Sequence, residues 1–220
     1  MRGAMNAATR LAAVRNQLFE VNAAFYTDAE LYQYFSDAEY LLASEVNCTQ
    51  ITDTSLTTVI GQQEYTVPTA LMRIQRLTWN SVKMKAIDLT QFDAISYPQF
   101  GGSTVQGNPV YYYQYAGVIG LYPVPSSAAT IKLYGMKRPT AVSATQQSFT
   151  IPEEMQPYLD DYVLYRAYLK DSDGKAQVHL QIWNANLQKA KDVWSDDRFM
   201  DQYLTPKDDD KSFYTELGIA

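Results

Sequence analysis

The stretch FTIPEEMQPYLDDYVLYRAYLKD, residues 149–171, decides how the rest of the chain is interpreted. Its apolar residues recur at intervals of three or four, the period of an amphipathic helix, at Met155, Leu159, Tyr162 and Val163. Pro152 suits the first helical position, and Glu153 and Glu154 complement the positive end of the helix dipole. The helical period therefore returns here after a long segment that does not have it.

Two helices are predicted before that segment. The first, from about residue 8 to residue 25, has one apolar face formed by Leu11, Val14, Leu18 and Val21. The second begins after Thr27, which forms a capping box with Glu30. Its apolar face consists of Leu31, Phe35, Ala38 and Leu42. The two helices are expected to join near residues 25–27.

The intervening residues 48–148 are rich in threonine and β-branched residues, with glycine and proline at intervals, which favours strands and loops. A first hairpin is predicted with its turn at Asn80 and Ser81. The alternation slips by one position between Ile74 and Leu77, which indicates a β-bulge. A second hairpin is predicted around the turn at Ala116 and Gly117.

This order predicts an α+β protein. A four-helix bundle is built from the N-terminal helix pair, residues 5–47, and the C-terminal pair, residues 149–199. The antiparallel β module, residues 48–148, is inserted between the pairs, and an extended C-terminal tail covers residues 200–220. The fourth helix is expected from about residue 175 to 196, and a short helical turn capped by Thr90 is expected within the β module.

The composition restricts the class of protein. The 220 residues carry a formal net charge of −6 and include 18 tyrosines but a single cysteine, so no intramolecular disulfide can form. No basic tract is present, which argues against affinity for a phosphate backbone. No continuous apolar run is long enough for a membrane span, and no signal sequence is recognisable. An intracellular soluble protein with no membrane contact is expected.

No convincing catalytic set is found. The adjacent carboxylate pairs are interpreted as solvated helix faces, because neighbouring residues on a helix point about 100° apart: Glu153 and Glu154, Asp160 and Asp161, Asp196 and Asp197. His179, the single histidine, is interpreted as a packing residue with no base role toward Cys48. The run from Asp208 to Asp210 lacks the glycine and closing glutamate of a calcium loop. No enzyme activity, metal or cofactor is expected.

The most informative feature is the absence of charge between Asp93 and Lys132. Strand alternation within this segment places Tyr111, Tyr113 and Tyr115 on one face and leaves Tyr112 on the other. Both faces are therefore aromatic, so each is covered either by the protein's own fold or by another subunit. For the second case, we predict a subunit or tail interface formed by Tyr111, Tyr113, Tyr115 and Tyr122.

The two ends of the chain suggest further contacts. Arg2, Arg10 and Arg15 make the N-terminal twenty residues locally basic, whereas the sequence from Asp192 on is acidic. These charges either meet across subunits or are merely segregated on the surface. The last residues include apolar anchors, which indicates either a segment that orders on a partner or a disordered end. The anchors are Phe213, Tyr214, Leu217 and Ile219.

The chain resembles a known family in the order of several segments. These are VRNQLFEVNAAFYTDAELYQYFSDAEYLLAS, QQEYTVP, RIQRLTWNSVKMKAID, GNPVYYYQYAGVIGLYPVPSSAATIKLYGMKRPT and FTIPEEMQPYLDDYVLYRAYLKD. Together they are similar to the head-to-tail adaptor (connector) proteins of short-tailed and related tailed bacteriophages. The similarity covers roughly residues 10–195 and rests on the order of the segments, since no single motif is diagnostic.

The resemblance implies a specific role. Such adaptors form a ring, commonly a dodecamer, beneath the portal protein in the virion, where they extend the DNA channel and provide a platform for the tail (nozzle or tubular) proteins. It implies that residues 199–220 reach the portal and that residues 49–139 face the neighbouring subunit or the tail. Genomic DNA would pass through without specific binding, since an acidic protein repels phosphate.

Two alternatives stay open at the level of sequence. A carbohydrate-binding β module on a helical stalk would use exposed tyrosines as a sugar platform, and residues 111–115 offer one. A tail-associated cell-wall hydrolase would need an acid/base carboxylate pair, for which the sequence nominates no good candidate.

Overall fold

The computed structural model describes residues 6–20, 22–96 and 105–194, and it shows an α+β protein, as predicted. The helices of this part are α1 (Ala7–Gln17), α2 (Asp28–Glu45), α3 (Leu89–Ser96), α4 (Gln156–Lys170) and α5 (Lys175–Trp194). The strands are β1 (Gln50–Thr57), β2 (Glu64–Thr66), β3 (Leu71–Trp79), β4 (Val82–Lys83), β5 (Lys85–Ala86), β6 (Gln106–Gly107), β7 (Tyr111–Tyr115), β8 (Val118–Tyr122), β9 (Val124–Pro125) and β10 (Thr130–Lys137).

The chain divides into two compact units. The helical unit takes the residues up to Cys48 and those from Thr140 onward, and the β unit is Thr49–Pro139. Residues 140–148, which the sequence assigned to the β module, belong to the helical unit. They are held there by hydrogen bonds, among them one of 2.8 Å from the Val142 amide to the Ser36 hydroxyl.

The helical unit has one hydrophobic core, to which α1, α2, α4 and α5 all contribute. Helix α4 packs against each of the other three helices. The side chains with no exposed surface come from several helices and include Leu31, Phe35, Leu42 and Leu159. A 3-10 turn, Glu153–Met155, precedes α4, so Pro152 lies before the helix with an extended ψ of 149° and not at its first position.

The first helix is shorter than predicted, because it ends at Gln17 and not near residue 25. Phe19 takes a left-handed φ of 56°, which terminates the helix. The Glu20 carboxylate then accepts hydrogen bonds from the backbone amides of Ala24 and Phe25, at 2.5 and 2.7 Å. Desolvation raises the pKa of Glu20, but the hydrogen bonds from these amides lower it, and the net shift is downward. A side chain therefore organises the junction that periodicity assigned to the helix.

The cap of α2 is confirmed. The Thr27 side chain accepts a hydrogen bond from the Glu30 amide at 3.3 Å. Glu30 also accepts a hydrogen bond from Lys170 of α4 at 2.7 Å. The cap thus fixes both the start of α2 and one contact within the helical unit.

The β unit contains two four-stranded sheets with a shared core. Sheet A has the order β1–β10–β3–β4, and sheet B has the order β2–β8–β7–β5. The core residues come from both sheets and include Leu77, Trp79, Tyr112, Ile119 and Leu133. The prediction of an antiparallel module is wrong for two pairs, since β5–β7 and β6–β9 are parallel. Parallel pairs need a long crossover, and the segment containing α3 provides one between β5 and β7.

The turns of the β unit agree with the sequence in most respects. Asn80 and Ser81 have φ values of 46° and 67°, and Ala116 and Gly117 have 46° and 80°, so both two-residue hairpins are confirmed. The predicted bulge is also confirmed, because Tyr134 pairs with Arg76 whereas Gly135 pairs with Ile74. The helical segment was assigned the wrong cap. The Asp88 carboxylate, and not the Thr90 hydroxyl, accepts a hydrogen bond from the Gln91 amide at 2.7 Å.

The incoming and outgoing chains of the β unit are bound together at one end of sheet A. The Lys137 amide donates to the Thr49 carbonyl at 2.7 Å. In return, the Thr49 hydroxyl donates to the Lys137 carbonyl at 3.0 Å. We call this pair the stem of the β unit.

Candidate assembly surface

The register of the β7–β8 hairpin determines where each tyrosine lies. Tyr112 pairs with Leu121, and both are buried in the core between the two sheets. The neighbouring pairs, Tyr111 with Tyr122 and Tyr113 with Gly120, therefore lie on the outer face of sheet B. The alternation expected from the sequence is present, with one aromatic set on each face.

Tyr113 is held across the outer face of sheet B. Its hydroxyl donates to the Glu64 carboxylate on β2 at 2.5 Å. The ring passes over Gly120, where a Cβ would lie 2.0 Å from a ring carbon, so a glycine is required there. Burial, followed by the hydrogen bond to Glu64, raises the pKa of Tyr113 above that of a free tyrosine. This residue is part of the internal structure of the β unit.

Helix α3 covers the same residue. The Phe92 ring lies 4.5 Å from the Tyr113 ring and 6.0 Å from the Tyr122 ring, centroid to centroid. Aromatic pairs at these separations add to the energy of burial. Of the two interpretations of the outer face, cover by the protein's own fold therefore holds at Tyr113. The sequence did not show this, because α3 reaches the face only through the tertiary fold.

The four predicted interface residues differ in exposure. Tyr115, at the tip of the hairpin, is 64% exposed, whereas Tyr113 is 6% exposed. Tyr111 and Tyr122 are half-buried. Tyr115 is therefore the part of the aromatic face that is open to a partner, and the role of all four residues in an interface stays a prediction.

The second predicted contact, the C-terminal segment, lies outside the described residues. This applies to Phe213, Tyr214, Leu217 and Ile219, and also to Arg2, to Asp196 and Asp197, and to the run from Asp208 to Asp210.

An exposed aromatic pair in the helical unit escaped sequence analysis. Phe19 is 89% exposed and Phe25 is 51% exposed. The adjoining residues of the chain line a cavity of about 340 Å³, together with α1: Ala8, Leu11, Ala12, Arg15, Asn16, Asn22, Ala23 and Asp28. Periodicity placed both phenylalanines within or at the end of a helix, so the signal for their exposure was hidden by the wrong helix end.

The arginines of α1 are not surface charges, contrary to both sequence interpretations. Arg10 is 5% exposed and donates to Asp160 of α4 at 2.8 Å. Arg15 is also buried and donates to Asp28 and to the Tyr26 carbonyl. Asp160 is therefore not part of a solvated face. Burial raises the pKa of Asp160 to about 6, and the Arg10 guanidinium opposes a further rise.

Cys48 and His179, the two residues considered above as a nucleophile and a base, are both packed within the helical unit. Burial raises the pKa of the Cys48 thiol to about 11, so the thiol is not activated. His179 stacks on Tyr168, with 5.4 Å between centroids, and its Nδ1 lies 3.3 Å from Asp161. Within residues 6–20, 22–96 and 105–194, no group of acidic, histidine or cysteine side chains is arranged to hold a metal ion.

None of the helices in the described part of the chain combines the length and the apolar character needed to cross a bilayer.

The sequence model of the SU10 adaptor protein family matches residues 5–207, which is most of the chain. No curated protein matches the chain.

Proposed function

The chain belongs to the SU10 adaptor protein family of bacteriophages, and on this basis we propose that it forms a ring beneath the portal protein. The ring extends the DNA channel and provides the platform on which the tail proteins assemble. The single observation that carries this proposal is the family match over residues 5–207.

Membership of the family has consequences at a coarser level. It implies a structural component of the virion that associates with portal and tail components. The resemblance found in the sequence, to bacteriophage adaptor proteins, is thereby confirmed. The ring, its dodecameric form, its site at the head–tail junction and the unspecific passage of DNA belong to the proposal.

The two-unit organisation fits this role. We propose that the helix pairs, residues 5–47 and 149–199, act together as a four-helix bundle that gives each subunit a rigid body. The shared core of α1, α2, α4 and α5 supports this. The β unit then presents its loops and hairpins to the neighbouring subunit or to the tail.

The contact between subunits is assigned to the β7–β8 hairpin, with Tyr115 at its tip. Each chain carries a net charge of −6, so copies repel one another unless they meet through uncharged surface. The hairpin lies in the segment without charge between Asp93 and Lys132. An exposed tyrosine offers a large contact area at a low cost in side-chain entropy. Residues 200–220, with their apolar anchors, are proposed to bind the portal.

The ring is tested by measuring the mass of the chain alone and mixed with its portal protein. We expect a defined oligomer of many copies on the portal. Tyr115→Asp should prevent its formation while the circular dichroism spectrum stays unchanged, because the side chain is exposed. Tyr40→Asp is the matched control, since Tyr40 is 46% exposed and lies in the helical unit. Tyr113→Asp is unsuitable, because Tyr113 is buried.

Two results would contradict the proposal. If the chain and the portal give only separate masses at micromolar concentration, the ring is wrong. If Tyr115→Asp and Tyr40→Asp assemble equally well, the hairpin contact is wrong although the ring stands. Truncation after residue 199 tests the portal contact separately, since binding should be lost while the helical unit stays folded.

Neither alternative function gains support from the described residues. A sugar platform on residues 111–115 would need several open rings, and Tyr113 is covered by Phe92. A hydrolase would need a free carboxylate pair, and Asp160 is held by Arg10.

A further inference from the structure

The charge of the protein is distributed unevenly along its chain. The β unit, Thr49–Pro139, contains seven lysines and arginines and four aspartates and glutamates, a net charge of +3. The whole chain carries −6. A basic unit therefore lies within an acidic protein, and the net charge of the whole chain conceals it.

Strand pairing gathers several of these cations on one face of sheet A. Thr78 of β3 pairs with Lys132 on one side and with Lys83 on the other. Two positions along, Arg76 of β3 pairs with Tyr134, so the two rows lie about 6.6 Å apart at 3.3 Å per residue. Leu77, between Thr78 and Arg76, points the other way into the core. We call this outer side, with Arg76, Lys83, Lys132 and Tyr134, the basic sheet face.

The three cations are not neutralised within the described part of the chain. None of its salt bridges involves Arg76, Lys83 or Lys132. The strands of sheet A contain a single carboxylate, Asp53, which is bound to the amide and hydroxyl of its neighbour Ser55 at 2.8 and 2.6 Å. The Arg76 guanidinium lies over the Tyr134 ring at 5.2 Å.

A buried hydroxyl lies in the middle of this face. Thr78 is 2% exposed, and its Oγ1 has no hydrogen-bond partner. It stands in the row between Lys132 and Lys83. A buried hydroxyl without a partner destabilises the free protein, whereas an anionic oxygen held between the two lysines would accept a hydrogen bond from it.

We propose that the basic sheet face binds the phosphate backbone of nucleic acid without regard to sequence. Lysine binds phosphate through its compact positive charge, and arginine can donate two parallel hydrogen bonds to it. An aromatic ring next to an arginine offers a surface on which a base can stack. The three cations lie on neighbouring rows of one surface, so each can contact a different phosphate of one strand. Sequence analysis did not indicate this face, because its residues are brought together from three strands.

An acidic protein partner is less compatible with this face. Protein interfaces have an apolar centre and few lysines, whereas interfaces with nucleic acid are more polar and much more positive. The two rows contain lysine, arginine and threonine around one tyrosine. The exposed aliphatic side chain of β4, Val82, pairs with Trp79 and so lies on the opposite side of the strand from Lys83. The inference goes beyond the adaptor role and does not depend on ring formation, because a single chain contains the whole face.

The test uses the full chain and two fluorescein-labelled probes, a 20-nucleotide oligothymidylate and a 20-base-pair duplex of mixed sequence. Fluorescence anisotropy is measured at about 50 and 200 mM salt. Three phosphate contacts predict a slope of log K against log salt of about −2.1 for the single strand and about −2.7 for the duplex, so affinity should fall about 20- and 40-fold over this range. No detectable binding of either probe at about 50 mM salt would overturn the proposal.

Matched triple variants locate the site. Arg76→Gln, Lys83→Gln and Lys132→Gln together should weaken binding at least tenfold and flatten the salt slope. Lys85→Gln, Lys175→Gln and Lys189→Gln remove the same charge elsewhere and should weaken binding much less. Equal losses in the two triples would show a general charge effect and overturn the assignment. A check by circular dichroism ensures that both triples are folded.

A single substitution and a competitor complete the test. Thr78→Val should raise the midpoint of thermal unfolding and weaken DNA binding about threefold, the value of one hydrogen bond. Unchanged affinity would contradict the role of the hydroxyl. If polyglutamate binds the basic sheet face and neither DNA probe does, the face is a protein-docking surface and the proposal is wrong.

Discussion

In the helical unit some charged side chains are buried, whereas in the β unit three cations gather on one open face. Among the described residues, the buried charged side chains are Arg10, Arg15 and Glu39, all in the helical unit. Glu39 accepts hydrogen bonds from the backbone amides of Thr150 and Ile151, just before the 3-10 turn that leads into α4. The core of the β unit is formed by aliphatic and aromatic residues, with cations left outside.

This difference separates charges that serve folding from charges that are available for contact. Helices leave unsatisfied amides and carbonyls at their ends, and a buried ion pair or carboxylate can satisfy them. The backbone amides and carbonyls within a sheet form hydrogen bonds with neighbouring strands. Charged residues on the outer face of the sheet are therefore not needed to satisfy the backbone. The location of a charge, more than the net charge of a unit, therefore indicates its use.

Removal of Arg10 is expected to have the largest effect on the comparison. Arg10→Ala leaves Asp160 buried without its partner, which should cost about 3–5 kcal/mol in the free energy of unfolding. The replacement of both residues, Arg10→Met with Asp160→Leu, should cost far less, because no buried charge remains. Urea unfolding of the three proteins measures both values. If the single and the double variant lose equal stability, the cost of Arg10→Ala does not come from leaving Asp160 buried without its partner.

The same variant has a pH dependence of known sign. In the wild type, burial raises the pKa of Asp160 to about 6, and Arg10 opposes this rise. Without Arg10 the folded protein retains the Asp160 proton to a higher pH. Since the unfolded chain loses that proton near pH 4, the variant should lose stability relative to the wild type as pH rises from about 6 to 8. A constant difference over this range would contradict the assignment.

Gly120→Ala should break the β unit by a different mechanism, steric overlap. A Cβ there would lie 2.0 Å from the Tyr113 ring, which is covered by Phe92. Overpacking of this kind costs about 1–3 kcal/mol. Hydrogen exchange should increase in β7 and β8 and stay unchanged in α4. Gly174→Ala is the control, because nothing lies within 4 Å of a Cβ at that position.

Phe19→Gly should stabilise the helical unit, whereas the preceding substitutions lower the free energy of unfolding. Phe19 has a φ of 56° and is 89% exposed, so glycine relieves strain and removes no buried surface. The net gain should be about 0.5–1 kcal/mol. Ser172→Gly, with the same φ of 56° after α4, should behave alike. A loss of stability measured by thermal unfolding of Phe19→Gly alone would show that the ring contributes to folding.

The smallest effect is expected at a salt bridge between exposed side chains. Lys191 donates to Glu45 at 2.6 Å, but both side chains are at least one-third exposed. Lys191→Met should change the free energy of unfolding by less than about 1 kcal/mol. Comparison of the stability losses of Lys191→Met and Arg10→Ala measures how much burial increases the cost of breaking a salt bridge. A loss as large as that of Arg10→Ala would remove the distinction.

Local patterns predicted much of the fold. The second helix, the cap at Thr27, both two-residue hairpins and the bulge near Gln75 follow from period, capping and turn chemistry, which act over a few residues. The end of α1 did not, because periodicity continued past Gln17 while Glu20 redirected the backbone. Local hydrogen bonding by a side chain can override an apolar pattern.

The candidate surfaces were less predictable than the fold. The alternation of Tyr111 and Tyr113 was correct, but it could not show that Phe92 covers one of them. The pairing of Arg10 with Asp160 joins residues that are 150 positions apart in the chain. Likewise, Lys83 and Lys132 become neighbours only through the register of β3. Such contacts depend on tertiary structure and leave no trace in a local window.

The stem of the β unit has a consequence for how such proteins diverge. Thr49 and Lys137 hold the two crossing strands side by side, closed by their own hydrogen bonds. An insert that begins and ends in this way behaves as a cassette. Because both hydrogen bonds lie within the β unit, a longer, shorter or unrelated set of strands grafted onto the same pair of ends should leave the core of the helical unit unchanged.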